Sequence, residues 1–214
     1  ANGDWSSDVC SSDLNNKMEN CKVKIFFGMS GALKLTTINS MYSDWFKVYS
    51  DTKPFYEIDE KYLNWSSRFN DGALLAHRLL TLDLDGFLPT DKNIAIERGI
   101  SDNIFCIPNR GIPGLEDYSK IKVDELVELE LNIINKRTND SIIEKELLVM
   151  EDDLFVSKNV LNDKYRKSIY PDLYTYKKKQ DEYVEFTQNC NSIDKVTVIT
   201  NAMDYINKLK AYGR

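Results

Sequence analysis

VKIFFGMSGALKLTTI, residues Val23 to Ile38, is the stretch of sequence that decides the fold of this chain. It begins with a run of valine, isoleucine and phenylalanine, which is typical of a buried strand. Two glycines and a serine follow, and the apolar residues after Lys34 recur at helical spacing. The sequence therefore predicts a strand, a glycine-containing loop and a helix in direct succession.

The loop partly matches the pattern GxxxxGK[ST]. In that pattern glycines let backbone N–H groups face phosphate oxygens, the lysine reaches the outer phosphates, and the hydroxyl holds Mg²⁺. Gly28 and Lys34 stand where the pattern requires them, whereas Leu33 replaces the second glycine and Leu35 replaces the hydroxyl residue. We predict a phosphate-binding loop. The alternative is an ordinary glycine turn between a core strand and a core helix.

The N-terminal segment Asp4–Leu14, DWSSDVCSSDL, reads as an in-frame translation of a sequencing adapter and is set aside. We expect residues 1–17 to be an artefact with a disordered tail, and residues 18–214 to form a single domain starting near Met18. This origin leaves open single-base errors elsewhere in the sequence. Leu35 is accordingly interpreted as either a native leucine or an altered serine, since their codons differ by one base.

Composition and charge narrow the class of protein. About 200 residues are enough for one α/β domain with a good core. The formal net charge is −6, and setting aside Asp4, Asp8 and Asp13 leaves −3. This net negative charge does not indicate binding of duplex nucleic acid, although it is compatible with a local basic patch. From this charge we expect no nucleic acid as partner. No apolar run approaches the ~20 residues that span a bilayer, so we expect no membrane as partner either.

Cysteine and histidine usage disfavours a metal or disulfide framework. Cys21, Cys106 and Cys190 are widely spaced without a CxxC pair, and His77 is the sole histidine. A zinc site needs three or four such ligands. The pattern predicts free thiols in a reducing cytoplasm.

Strand-like and helix-like segments alternate along the chain, which is the rhythm of a mainly parallel sheet. The predicted strands are Lys22–Phe27, Trp45–Tyr49, Asn93–Glu97, Glu146–Met150 and Lys195–Thr200. The predicted helices are Leu35–Tyr42, Tyr62–Leu82, Ile121–Lys136, Asp172–Gln188 and Ala202–Tyr212. We expect Pro108–Tyr118 and Asp152–Pro171 to be long loops, which are usually functional or disordered.

Polar residues follow three of these strands. They are Ser50 and Asp51 after the second strand, Glu97 to Gly99 after the third, and Glu151 to Asp153 after the fourth. Ligands of an open parallel sheet bind beyond the carboxyl ends of its strands. We therefore expect these groups to converge on the glycine loop.

Taken together, GMSGALKLTT, the acid at Asp51 and ERGISDNIF from Glu97 to Phe105 resemble the P-loop deoxynucleoside and nucleoside-monophosphate kinases, including thymidylate kinases and virus-encoded members. The Glu97-Arg98 pair stands where those enzymes carry a charged pair, and Gly99 departs from their pattern. The resemblance implies a P-loop three-layer α/β sandwich with a mainly parallel five-stranded sheet and a lid. It also implies ATP and Mg²⁺ as cofactors and leaves a homodimer open.

The resemblance also implies roles for individual residues. Lys34 would bind ATP phosphates, Asp51 would accept the proton of an attacking hydroxyl or position a sugar or phosphate, and Arg98 would grip the acceptor. Mg²⁺ would be held through Glu97 or Thr36, although a one-residue shift on a helix rotates a side chain by about 100°. The nucleotide would contact Gly28, Ser30, Gly31, Ala32, Lys34, Thr36 and Thr37. Alternatively, Asp51 is a solvated loop acid and Glu97-Arg98 a surface ion pair.

Two further segments complete the implied site. Trp65, Arg68 and Phe69 lie close together on the predicted helix Tyr62–Leu82 and would hold the base of the acceptor, unless the aromatics are plain core. The loop Asn162–Asp172 carries Lys164, Arg166 and Lys167 and would form the lid, with Arg166 the best suited to bidentate phosphate contact.

The sequence thus predicts a kinase that passes the γ-phosphate of ATP to a nucleoside or nucleoside monophosphate, with deoxynucleotide metabolism favoured. One alternative is a non-catalytic P-loop fold in which Leu33 and Leu35 have abolished productive binding of Mg·ATP. Another is a P-loop kinase acting on nucleic acid ends or on another small metabolite.

Overall fold

The computed structural model describes residues 20–50, 75, 78–109 and 122–212. Within these ranges strands and helices alternate, and residues 78–83 are also helical. The elements are β1 (Lys22–Phe27), α1 (Lys34–Met41), β2 (Phe46–Val48), β3 (Ile94–Glu97), α2 (Ile100–Asn109), α3 (Val123–Arg137), β4 (Ile142–Met150), α4 (Asp153–Phe155), a π-helix (Val156–Val160), α5 (Lys164–Ile169), α6 (Leu173–Cys190), β5 (Lys195–Ile199) and α7 (Ala202–Tyr212).

The described strands form one sheet in the order β2-β3-β1-β4-β5, and every neighbouring pair is parallel. The chain moves one way along the sheet from β1 to β2 and the other way from β3 through β4 to β5. Because crossovers between parallel strands are right-handed, α1 lies on one face and α2, α3 and α6 on the other. Accordingly α1 packs on α7, and α2 packs on α3 and α6. The predicted α/β fold with a five-stranded sheet is confirmed.

The core is centred on β1, which has a strand on each side. Phe26 and Phe27 of β1 are buried together with Ile94 and Ile96 of β3 and Leu147 of β4. A strand covered on both faces must be apolar nearly throughout, which explains why the run VKIFF identified it from sequence. Among the described residues, no helix has the length and apolarity needed to cross a bilayer.

The prediction of a long loop over Asp152–Pro171 is wrong. Most of this segment is helical, because Asp152 and Asp163 cap short helices. The Asp152 carboxylate accepts a hydrogen bond from the Phe155 N–H at 2.9 Å, and that of Asp163 accepts one from the Arg166 N–H at 2.9 Å. Asp at the N-cap satisfies amide groups left unpaired by the helix, so turns of helix too short to show periodicity still form.

Two further predicted segments differ from the structure or are only partly described. Helix α2 was not anticipated; it covers most of the ERGISDNIF stretch and ends at Asn109, so it includes Pro108, the first residue of the other predicted loop. Residues 110–118 of that loop lie outside the described ranges. Of the predicted helix Tyr62–Leu82, only residues 75 and 78–82 are described, and these are helical.

Candidate active site

The loop that joins β1 to α1 lies at the carboxyl end of the central strand and is closely packed against its surroundings. A Cβ atom at Gly28 would lie 2.9 Å from the carbonyl oxygen of Leu148, and one at Gly31 would clash with Cγ2 of Val160. Gly31 also has a φ of +85°, which side-chain-bearing residues rarely adopt. Both glycines are therefore required by the shape of the loop.

Leu33 adopts the conformation that a glycine would supply. Its φ of 61° and ψ of 26° are left-handed, and it is the N-cap residue of α1. Its carbonyl oxygen accepts hydrogen bonds from Thr37 N–H at 2.9 Å and from Thr37 Oγ1 at 2.8 Å. The left-handed conformation costs an L-residue roughly 1–2 kcal/mol. Leu33 thus makes a left-handed turn of the kind that glycine adopts without strain, at the position where the pattern has its second glycine.

Lys34 begins α1 and folds back over the loop. Its side chain is only 5 % exposed, and Nζ donates to the carbonyl oxygens of Gly28 at 2.6 Å and Met29 at 3.0 Å. Ala32 is fully buried, and its N–H donates to the Met29 carbonyl oxygen at 3.1 Å. The loop therefore encloses a positive charge at the start of a helix, where the helix dipole also favours anions.

The three residues after Lys34 differ in what they offer a metal or phosphate. Leu35 is 46 % exposed and carries no oxygen, and Thr36 is half-buried. Thr37 is buried, and its hydroxyl lies 2.8 Å from the hydroxyl of Tyr205 on α7. The Thr37 hydroxyl thus connects α1 to α7 and also donates to the carbonyl oxygen of Leu33.

Two tyrosines of α6 hold the loop from the other side. Tyr176 donates its hydroxyl proton to the carbonyl oxygen of Ser30 at 2.9 Å, and Tyr183 accepts a hydrogen bond from Gly28 N–H at 2.8 Å. Both tyrosines are buried. Sequence reasoning missed these contacts because partners 146 and 155 residues apart leave no local signal.

The ends of β2 and β3 meet as expected. The backbone N–H and the hydroxyl of Ser50 each donate to Oε2 of buried Glu97 at 3.1 Å. The Arg98 guanidinium lies 4.0 Å from the other carboxylate oxygen of Glu97, and Arg98 N–H donates to the Phe26 carbonyl oxygen at 2.9 Å. The Glu97-Arg98 pair is therefore fixed beside the residue that leads into the loop.

Arg78 and Glu130 support Arg98 and were not singled out from sequence. Arg78 Nε donates to Oε2 of Glu130 at 3.1 Å, and Nη2 donates to the Arg98 carbonyl oxygen at 2.5 Å. Glu130 also accepts from Ile100 N–H, at the start of α2, at 3.2 Å. Helices α2 and α3 and residues 78–83 are thereby joined at the carboxyl end of β3.

Arg166 lies on α5 and is half-buried, whereas Lys164 and Lys167 are exposed. Burial raises the pKa of the Tyr176 hydroxyl, and the positive charge of Arg166 opposes that rise. Arg166 is therefore close enough to act electrostatically on the hydroxyl that binds Ser30. Asp152, after β4, is occupied in capping, since its second oxygen accepts from Ala202 N–H of α7 at 2.9 Å.

Several predicted site residues lie outside the described ranges. They are Asp51, Trp65, Arg68 and Phe69, together with His77. Within residues 20–50, 75, 78–109 and 122–212, no three His, Cys, Asp or Glu side chains group closely enough to hold a metal ion.

Neither protein-family models nor curated proteins give a match to this chain. Solved structures do resemble it, including the following three. Thymidylate kinase from Candida albicans is 12 % identical, with 89 % of both chains covered and a TM-score of 0.54. Deoxyadenosine kinase from M. mycoides with bound dATP is 14 % identical, with 89 % of this chain and 97 % of that chain covered and a TM-score of 0.47. The YorR protein from Bacillus subtilis in complex with phosphorylated GDP is 14 % identical, with 90 % of this chain and 99 % of that chain covered and a TM-score of 0.41.

Of these three likenesses, the one to the thymidylate kinase exceeds a TM-score of 0.5, and at 12 % identity it establishes the fold alone. The chain shares the α/β fold of that thymidylate kinase, and its described strands form an all-parallel five-stranded sheet between layers of helices. A fold of this kind hosts many activities, so function has to be argued from the site.

Proposed function

We propose that this chain is a kinase that transfers the γ-phosphoryl group of ATP to a (deoxy)nucleoside or a (deoxy)nucleoside monophosphate. The observation that carries this proposal is the enclosure of Lys34 by the loop at the end of β1, with Glu97 and Arg98 fixed at the end of the neighbouring strand. The carboxyl ends of parallel strands lie on the same side of the sheet. The binding sites for ATP and for the phosphate acceptor would therefore lie next to each other there.

The residues of the loop fit a chain of phosphates. Gly28 and Gly31 pack closely against Leu148 and Val160, which fixes the turn of the loop. Loops of this kind can present backbone N–H groups to phosphate oxygens. Lys34 supplies a positive charge at the N-terminus of α1, and Arg166 on α5 would cover the phosphates as part of a lid. Phosphoryl transfer depends chiefly on positioning and on neutralising the charge of the moving group, which these residues are suited to do.

Fewer residues fit Mg²⁺. Glu97 offers a carboxylate and Thr36 a hydroxyl, whereas Leu35 offers no oxygen. Mg²⁺ usually binds through one or two carboxylates together with substrate phosphates, so Glu97 and Thr36 would hold it with the nucleotide. When bound, the ion would neutralise charge on the phosphates.

The acceptor would lie against Arg98. We assign Arg98 to grip its phosphate or 5′ end and Glu97 to orient it. Asp51 would accept the proton of an attacking nucleoside hydroxyl or position a nucleotide, and Trp65, Arg68 and Phe69 would hold the base. The thymidylate kinase likeness puts thymidine monophosphate first among the acceptors to be tested.

Two observations favour a second candidate, a non-catalytic binding protein. The hydroxyl residue of the phosphate-loop pattern is replaced by Leu35, and Lys34 Nζ bonds to the carbonyl oxygens of its own loop. Such a protein would bind nucleotide without turning it over.

The test is ATP consumption with Mg²⁺ against a panel of deoxynucleosides and their monophosphates. Turnover that depends on one acceptor and is abolished by Lys34→Ala supports the kinase. Lys92→Ala is the matched control, because Lys92 is exposed and precedes β3, at the amino ends of the strands and away from the proposed site. ATP binding by calorimetry without turnover would favour the binding protein. A folded sample that does not bind ATP would contradict the kinase and favour a non-catalytic fold in which Leu33 and Leu35 have abolished Mg·ATP binding.

A further inference from the structure

Asp102 is a buried acid that none of the roles above uses. It lies in the first turn of α2 and is 1 % exposed. Its Oδ1 accepts a hydrogen bond from the Tyr183 hydroxyl at 2.8 Å, and among the described residues its Oδ2 has no hydrogen-bond partner. A buried carboxylate with an unsatisfied oxygen is costly, so its presence calls for a functional reason.

The carboxyl group of Asp102 is connected to the phosphate loop through one hydroxyl. Burial and the negative charge of Asp102 raise the pKa of Tyr183 well above its usual value, so this hydroxyl keeps its proton and donates it to Asp102. The same oxygen accepts the N–H of Gly28, the first residue of the loop, at 2.8 Å. Asp102 is therefore linked to Gly28 through the Tyr183 hydroxyl.

Charged groups face Asp102 from each of three neighbouring elements. Burial raises its pKa from 3.8 to about 6, the positive charges of Arg98 after β3 and Lys34 on α1 oppose that rise, and the negative charge of Glu130 on α3 adds to it. The two cations that influence Asp102 are the same two that the proposed function assigns to phosphate groups.

We propose that Asp102 and Tyr183 are positioning residues of the phosphate loop, and that Asp102 acts as a displaceable counter-charge that takes up a proton when phosphate binds at Lys34 and Arg98. This inference rests on the proposed function. Before binding, the carboxylate partly neutralises the two cations. Anionic phosphates then repel the carboxylate and satisfy the cations in its place. The proton comes from the solvent and is released again when the product leaves.

The experiment is calorimetric titration of the full chain with ATP at pH 7 in buffers of different ionisation enthalpy, which gives the number of protons taken up. Wild type is compared with Asp102→Asn, which keeps an acceptor for Tyr183 but cannot be charged. Proton exchange by ATP itself is the same in both, so the difference isolates Asp102. We expect wild type to take up roughly half a proton or more beyond Asp102→Asn.

Tyr183→Phe tests the relay separately and should bind ATP about tenfold more weakly. Tyr174→Phe is the matched control, because Tyr174 lies on the same helix and is 76 % exposed. Melting temperatures confirm that all variants fold. Equal proton uptake by wild type and Asp102→Asn, or unchanged affinity in Tyr183→Phe, would overturn the inference while leaving the kinase proposal intact. Failure of wild type to bind ATP would contradict the proposed function first and this inference with it.

Discussion

Nη2 of Arg78 donates a hydrogen bond to the backbone carbonyl oxygen of Arg98 at 2.5 Å. Arg98 has a φ of 67°, a left-handed conformation that is uncommon for a residue with a side chain. Its N–H is bound to the Phe26 carbonyl oxygen at 2.9 Å. The N–H and the carbonyl oxygen of Arg98 are thus both hydrogen-bonded. These bonds hold the carboxyl end of β3 beside the carboxyl end of β1.

Arg78→Ala should therefore release Arg98 and leave Glu130 buried without its cation. Glu130 is 2 % exposed, and breaking a buried ion pair costs roughly 3–5 kcal/mol. We expect a loss of that order in the free energy of unfolding, measured with urea. If the kinase proposal holds, the KM for the acceptor should also rise, since Arg98 is assigned to bind it.

Arg137→Ala provides the control for this prediction. Arg137 pairs with Asp83 at 2.9 Å and Asp85 at 3.1 Å, but the side chain of Asp85 is 98 % exposed and that of Asp83 is 42 % exposed. Exposed ion pairs contribute about 0–1 kcal/mol. Equal losses in the two variants would show that the Arg78–Glu130 pair has no special role.

Leu33 gives a prediction about backbone strain. Leu33→Ala and Leu33→Gly both remove the side chain, but only glycine adopts a φ of 61° without penalty. We expect Leu33→Gly to be more stable than Leu33→Ala by about 1 kcal/mol in urea unfolding. Equal stability of the two variants would mean that the left-handed turn at Leu33 is not populated in solution.

Strands β1 and β3 were predictable from sequence because nearly all of their residues are buried. Apolar runs marked all five strands, and β1 matches its predicted bounds Lys22–Phe27. Helix α2 was missed although it has ten residues, whereas two other missed helices were too short to show an apolar period. Helices α4 and α5 each begin at an aspartate cap, and their three and six residues are too few to show periodicity.

The site was only partly predictable. The loop and the Glu97-Arg98 pair could be found because they are local in sequence. Tyr183, Tyr176 and Arg78 could not, since their roles depend on contacts between helices that are distant along the chain. Leu33 was interpreted as a defect of the motif, whereas the backbone there keeps the turn that a glycine would make. Sequence patterns show which residue type is missing but not whether its conformation is retained.

The burial of Asp102 predicts a pH dependence of stability. Because its pKa is raised from 3.8 to about 6 on folding, its favourable contribution is fully present below pH 3.8 and is lost as the pH rises through about 6. Asp102→Asn should therefore match wild type near pH 4 and be more stable at pH 7.5 by roughly 2–3 kcal/mol. The measurement is urea unfolding across this range, with Asp44→Asn, an exposed acid, as control. A constant difference between Asp102→Asn and wild type would contradict the burial of an ionisable Asp102.

Leu35→Ser tests whether the site lacks only a metal-binding hydroxyl. Leu35 is 46 % exposed and occupies the position where the phosphate-loop pattern places that hydroxyl, so serine can be introduced at little cost in stability. If the scaffold is catalytic, Mg²⁺-dependent transfer should rise by about tenfold or more, a change in barrier of about 1.4 kcal/mol. Leu129→Ser is the matched control, because Leu129 lies on α3 and is 44 % exposed. A rise in both variants would reflect solubility, and no rise in Leu35→Ser would indicate that Thr36 or Glu97 already suffices or that the protein binds nucleotide without catalysis. Measuring the Mg²⁺ concentration for half-maximal activity separates these last two cases, since only an active wild type has one.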